Sequence, residues 1–94
     1  MTEELKEIID FANQNPSTWV ATCEGDQPRV RGFLMWFADE SGFYFHTAKK
    51  KSIASQLEKN PKVEIGFIRN ADKPTFEMLR VAGECQEVND KGLE

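Results

Sequence analysis

The chain has 94 residues, 39% of them hydrophobic, 11% aromatic and 30% charged, with a net charge of −4. That length holds one small domain spanning residues 1–94, and the apolar content is too high for a disordered chain. The acidic balance argues against general nucleic-acid or anionic-membrane binding, both of which call for a basic face.

Thr2 to Ala12 reads as an amphipathic helix. Thr2 is a candidate N-cap, Glu3 and Glu4 fill the first turn, and Leu5, Ile8, Ile9 and Ala12 recur at helical spacing. Asn13-Gln14-Asn15-Pro16 stops it. Thr18 to Cys23 reads as a strand, and Glu24 to Pro28 as a turn. Arg29 to Ala38 reads as a second, longer strand. Its run Phe33-Leu34-Met35-Trp36-Phe37 is apolar on both faces, so neither face is expected to be freely solvated. Asp39-Glu40-Ser41-Gly42 closes a hairpin into a strand from Phe43 to Thr47. Lys50 to Lys59 reads as a helix with Ile53, Ala54 and Leu57 on one face, ended by Asn60-Pro61.

Lys62 to Ile68 alternates cleanly, with Val63, Ile65 and Phe67 inward, and Asn70 to Pro74 is a polar loop. Phe76 to Val88 is the last strand, in which Gly83 predicts a bulge or a sharp bend. The chain is therefore expected to be mainly β with two helices, its five strands forming a small antiparallel barrel. The N-terminus shows no apolar leader and no run reaches membrane-spanning length, so a cytoplasmic protein is expected. Cys23 and Cys85 form no C-x-x-C and have one histidine between them to recruit. The expectation is two reduced thiols and no metal site.

Chemistry concentrates where the third predicted strand meets the second predicted helix. Phe45-His46-Thr47-Ala48-Lys49-Lys50-Lys51-Ser52 puts a hydroxyl and three ammonium groups at a strand-to-helix junction. A helix start presents unpaired N–H groups and the positive end of its dipole, which suits a phosphate or another dianion. A solvated basic turn that offsets nearby acids is the competing reading. Arg29 and Arg31 share one face of a strand, where they would either hold an anion or pair with Glu24, Asp26 or an acid of a neighbouring strand. Gly32 lets something approach the backbone: a planar ligand edge would fit, and so would a plain bulge. His46, the one histidine, has no partner motif for catalysis and reads as structural or at a ligand's edge. Trp19 and Trp36 read as core or interface. No nucleophile triad, paired-carboxylate motif, P-loop or dinucleotide fingerprint is present, so no catalytic residue is assigned.

Several segments taken in order resemble the pyridoxamine 5′-phosphate oxidase-like, FMN-binding split-barrel family, in particular its small bacterial general-stress-protein members. They are Pro28-Arg29-Val30-Arg31-Gly32-Phe33, Gly42-Phe43-Tyr44-Phe45-His46-Thr47, Lys51, Gln56-Leu57, Asn60-Pro61-Lys62-Val63-Glu64-Ile65 and Leu79-Arg80-Val81-Ala82-Gly83-Glu84. The resemblance covers nearly the whole chain. It implies a split β-barrel of Greek-key-like order that forms a homodimer with FMN in a shared cleft. It implies that Arg31 contacts the flavin or its phosphate and that the backbone of Gly32-Phe33-Leu34 lies along the ring. Thr47 and Lys51 would hold the phosphate end, with Lys49 and Lys50 adding charge and His46 beside them.

The serine-arginine-lysine run of pyridoxamine phosphate oxidases proper is replaced by Lys51-Ser52-Ile53, and their C-terminal substrate residues have no counterpart before Glu94. The expectation is thus a C-terminally short barrel that binds FMN. It would act as a flavin-dependent oxidoreductase fed by a nicotinamide or another small reductant, without pyridoxamine phosphate oxidation itself. Two other readings stand beside it. One is a non-enzymatic ligand-binding or dimerisation module on the same fold that has lost effective flavin binding. The other, more distant, is a single-strand nucleic-acid platform on the aromatic strand.

Overall fold

The computed structural model describes residues 2–46, 57–70 and 72–87. Helix α1 (Glu3–Gln14) starts where the sequence places its cap: the Leu5 N–H donates to Thr2 Oγ1 at 3.1 Å. It ends at Asn15, whose side chain donates to the Phe11 carbonyl at 2.8 Å. Strands β1 (Ser17–Glu24) and β2 (Gln27–Leu34) then form a hairpin with a two-residue loop, in which Gly25 has a φ of 63°.

The long second strand expected from Arg29 to Ala38 is two strands. The chain leaves β2 at Leu34, and β3 (Phe37–Asp39) begins a separate hairpin with β4 (Gly42–Tyr44). Two backbone bonds make the break. The Met35 N–H donates back to the Pro16 carbonyl at 2.8 Å, and the Trp36 N–H donates forward to the Tyr44 carbonyl at 2.8 Å. Of the predicted second helix, residues 57–59 lie within the described structure and are helical. β5 (Lys62–Arg69) and β6 (Glu77–Glu84) complete a four-stranded antiparallel sheet of order β2-β1-β5-β6. Among the described residues the sheet does not close into a barrel. The fold is mainly antiparallel β, of the small split-barrel kind. The bulge expected at Gly83 is absent, because pairing runs without interruption from Lys62–Glu84 through Val63–Gly83 to Arg69–Glu77.

One face of the sheet carries the core. Val20, Ile65 and Phe67 are buried there against Ile9 and Ala12 of α1, with Ala38 from the second hairpin and Met35 from the link that precedes it. Strand alternation explains the selection: β5 buries Ile65 and Phe67 and half-buries Val63, while Lys62, Glu64 and Ile68 point away. Asn13 ties the helix to the second hairpin in the way a neighbouring strand would. Its amide donates to the Ala38 carbonyl at 2.9 Å and accepts from the Ala38 N–H at 2.8 Å. Two threonines, Thr18 and Thr22, are also buried on this face, and both hydroxyls are hydrogen-bonded.

Candidate functional site

β2 is an edge strand, so its outer edge has no strand partner among the described residues. Register divides its side chains. Gly32 lies opposite Trp19 and Leu34 opposite Ser17, which puts Gly32 and Leu34 on the outer face of the sheet. Arg29, Arg31 and Phe33 lie opposite Thr22, Val20 and Thr18, on the core face. The residues singled out on this strand therefore fall on both sides of one backbone, and a molecule seated on the strand edge can meet both sets.

On the outer side the strand end forms an open groove of about 310 Å³, lined by Ser17, Thr18, Trp19, Gly32, Phe33 and Leu34. Gly32 is its floor. A Cβ at position 32 would lie 3.6 Å from Trp19 Cζ3 and 3.9 Å from the Thr18 carbonyl oxygen, so the glycine leaves the backbone open beside the indole. Thr18 Oγ1 donates to the Phe33 carbonyl at 2.8 Å and holds this stretch of β2 in place. A shallow apolar wall beside a strand edge that no other described strand pairs suits a planar heteroaromatic ring. The wall supplies contact area, and the edge offers backbone donors and acceptors to polar ring atoms.

Arg29 is engaged as one of its two readings anticipated, its Nε 3.1 Å from Glu24 Oε1. Arg31 is half-buried, and its Nη1 donates to Thr22 Oγ1 at 3.2 Å. His46 is exposed and lies against Trp36, with ring centroids 4.4 Å apart and planes tilted by 34°. Trp36 in turn meets Phe37 edge-on at 4.8 Å. His46 thus extends an aromatic ledge at the point where the chain enters the Thr47–Lys51 segment. Thr47, Lys49, Lys50 and Lys51 lie outside the described residues.

The second hairpin holds a small polar chain. The Ser41 N–H and hydroxyl both donate to Asp39 Oδ1, at 2.8 and 2.5 Å, and the Ser41 and Tyr44 oxygens are 2.7 Å apart. These bonds hold the Asp39 carboxyl below the usual carboxylate range, the Ser41 hydroxyl contributing most. They brace the turn. Among the described residues no group of three or more His, Cys, Asp or Glu is placed to hold a metal, and no helix is long and apolar enough to cross a membrane. Cys23 and Cys85 are free thiols, and Cys85 follows β6, at the sheet edge opposite β2.

Of the sequence-derived residues, the groove brings together Gly32, Phe33 and Leu34. It adds Trp19, which sequence reasoning assigned to core or interface. The signal was present in the alternation of Thr18-Trp19-Val20, which sends Trp19 to the side opposite Val20. What the sequence lacked was any indication that the face with two threonines is the buried one.

A family model for pyridoxamine 5′-phosphate oxidase matches residues 1–94, and the chain belongs to that family. Three solved structures share its fold. A conserved hypothetical protein from Mycobacterium tuberculosis superposes with a TM-score of 0.81 over 99% of this chain and 57% of its own length, at 22% identity. A Listeria innocua protein provisionally assigned as a pyridoxamine 5′-phosphate oxidase gives 0.77 over 97% of this chain and 68% of its own, at 19% identity. General Stress Protein 26 from Bacillus anthracis gives 0.70 over 86% and 60%, at 23% identity. The chain thus spans between 57% and 68% of the lengths of these structures. No curated protein matches it.

Proposed function

We propose that this member of the pyridoxamine 5′-phosphate oxidase family is a cytoplasmic FMN-binding protein that works as a homodimer with a shared flavin cleft. The observation that carries the reading is the groove beside edge strand β2, where Gly32 opens the backbone between Trp19 and Leu34. A flavin ring has two requirements, a flat apolar contact and hydrogen-bond partners along one edge. The groove and the adjoining strand edge can supply both. Arg31, on the other side of the same strand, would meet the more polar part of the ligand. Thr47 and Lys51 would hold the phosphate, with Lys49 and Lys50 adding charge and His46 closing the near side.

Bound FMN would supply the redox chemistry, taking electrons from a nicotinamide or another small reductant. The protein's own residues bind and orient it, and none of the described side chains is placed as a catalytic acid or base. Family membership favours the reading. It does not extend to oxidation of pyridoxamine phosphate, since Lys51-Ser52-Ile53 stands where a serine-arginine-lysine run is expected.

The test is a titration of FMN and riboflavin, followed by quenching of flavin fluorescence. Micromolar or tighter binding with preference for FMN supports the flavoprotein. Failure of both ligands to bind at high concentration would leave the non-enzymatic module as the better account.

A further inference from the structure

Two bonds from the start of β1 grip the end of β2, one on each side of Leu34. Thr18 Oγ1 donates to the Phe33 carbonyl at 2.8 Å, and the Pro16 carbonyl accepts from the Met35 N–H at 2.8 Å. The peptide bonds on either side of Leu34 are trans and planar. Turning the Phe33 carbonyl and the Met35 N–H toward β1 therefore turns the Leu34 N–H and carbonyl the other way. They face the edge that no other described strand pairs, beside the groove that Leu34 helps to line. One residue thus offers a donor and an acceptor side by side. Thr18 itself is 4% exposed, on the core face. Valine has the same shape and would occupy that place without burying a hydroxyl, so the bond, not the packing, accounts for a threonine here.

We propose that Thr18 is a positioning residue for the ring end of the site: its hydroxyl fixes the exit of β2 so that the Leu34 backbone meets the polar edge of a planar ligand. This rests on the flavin-binding reading and adds to it a side chain that acts from the opposite face of the sheet. The need for such a group lies in where β2 stops. Pairing with β1 ends at Ser17–Leu34, and the next residue, Met35, already leaves for the second hairpin. The last pair of a ladder opens most readily. Pro16 holds only the far side of Leu34, and the hydroxyl of Thr18 holds the near side. With both in place the two outward groups of Leu34 keep one direction before any ligand arrives, and a ligand does not have to order them.

The experiment compares wild type, Thr18→Val and Thr18→Ser, with Thr18→Ala in reserve should the valine variant not fold. Valine keeps the shape and loses the hydroxyl, whereas serine keeps the hydroxyl and loses a methyl. Two readouts are taken: amide hydrogen exchange by NMR without flavin, and fluorescence titration of FMN and riboflavin. In Thr18→Val the Leu34 and Met35 amides should exchange at least about threefold faster while those of β5 keep their rates, and both flavins should bind about three- to tenfold more weakly. Thr18→Ser should match wild type in both readouts, even where its melting temperature falls. Unchanged exchange at Leu34 and Met35 in a folded valine variant overturns the proposal. Equal weakening by serine and valine overturns it too, since packing would then be the cause. So does unchanged flavin affinity in a valine variant whose strand end has loosened. Local loosening in a protein that binds neither flavin keeps the Thr18 clamp and removes only the flavin reading.

Discussion

Gly32→Val tests the ring position without disturbing the rest of the chain. The new Cβ would meet Trp19 Cζ3 at 3.6 Å and the Thr18 carbonyl oxygen at 3.9 Å, which is ordinary contact. Valine is also the better strand residue. Glycine inside a strand costs about 0.5–1 kcal/mol, so the variant's stability should stay within about 1 kcal/mol of wild type. The groove does not fare as well. A ring resting on the glycine backbone at about 3.5–4.0 Å is lifted by the branched methyl groups, and its polar edge leaves the strand. Losing two backbone hydrogen bonds at about 0.5–1.5 kcal/mol each weakens binding by about 1–3 kcal/mol, or roughly 5- to 150-fold. FMN and riboflavin should weaken alike, since the change touches only the ring. Fluorescence titration of both ligands, with thermal melting as the control, reads the effect. A folded Gly32→Val protein with unchanged FMN affinity would refute the placement of the ring in this groove.

Lys51→Ala should show the complementary pattern, weakening FMN by about 1.5–3 kcal/mol while sparing riboflavin, because only FMN carries the phosphate. Equal losses for the two ligands in the same titration would sink the phosphate assignment. Asn13→Ala removes both bonds to the Ala38 backbone and should destabilise the fold by about 1–3 kcal/mol in urea unfolding, although Asn13 itself is exposed. Ser41→Ala should move the Asp39 carboxyl back up toward 3.8, since the Ser41 hydroxyl contributes most to lowering it. In wild type the hairpin gains stability from the ionised Asp39 above its ordinary range and loses it as pH falls through the lowered value. Carboxyl NMR titration of wild type against Ser41→Ala checks the direction, and coincident curves would discount the contact.

Much of the fold follows from local pattern. Thr2 and the spacing of Leu5, Ile8, Ile9 and Ala12 define α1, and the alternation of Val63, Ile65 and Phe67 defines β5 and its buried side. The second strand is shorter than its pattern suggests because Phe33-Leu34-Met35-Trp36-Phe37 is apolar throughout. Such a run looks the same whether it continues one sheet or passes from one to another. The break at Met35 and Trp36 depends on partners at Pro16 and Tyr44, which no local pattern reveals. Gly83 departs from its expected role for the opposite reason. A Cβ there would meet nothing within 4 Å, so the regular strand tolerates the glycine without needing it. Trp19 shows the limit of alternation. A period of two separates Trp19 from its neighbours but does not say which side faces the core, and here the buried side carries Thr18 and Thr22. Those threonines are accepted because the Phe33 carbonyl and Arg31 satisfy their hydroxyls, a condition that exists only after β1 and β2 pair.

The two ends of the proposed flavin site stand on different footing, which is why two substitutions are needed rather than one. The ring end can be inspected in Gly32, the indole beside it and the strand edge. The phosphate end rests on Thr47, Lys49, Lys50 and Lys51, drawn from the strand-to-helix pattern and the family resemblance. Structural likeness at 19–23% identity fixes the fold and leaves the site to be argued from its own residues. A protein that lost the ring contact while keeping basic residues would bind phosphate compounds without preference for flavins. One that lost the phosphate contact while keeping the groove would bind riboflavin as well as FMN. Gly32→Val and Lys51→Ala perturb these ends separately, 19 residues apart in the sequence. Ring-dependent loss in the first and phosphate-dependent loss in the second can arise together only if one molecule spans Gly32 and Lys51 at the same time. That joint result would place FMN across edge strand β2, and neither substitution alone could do so.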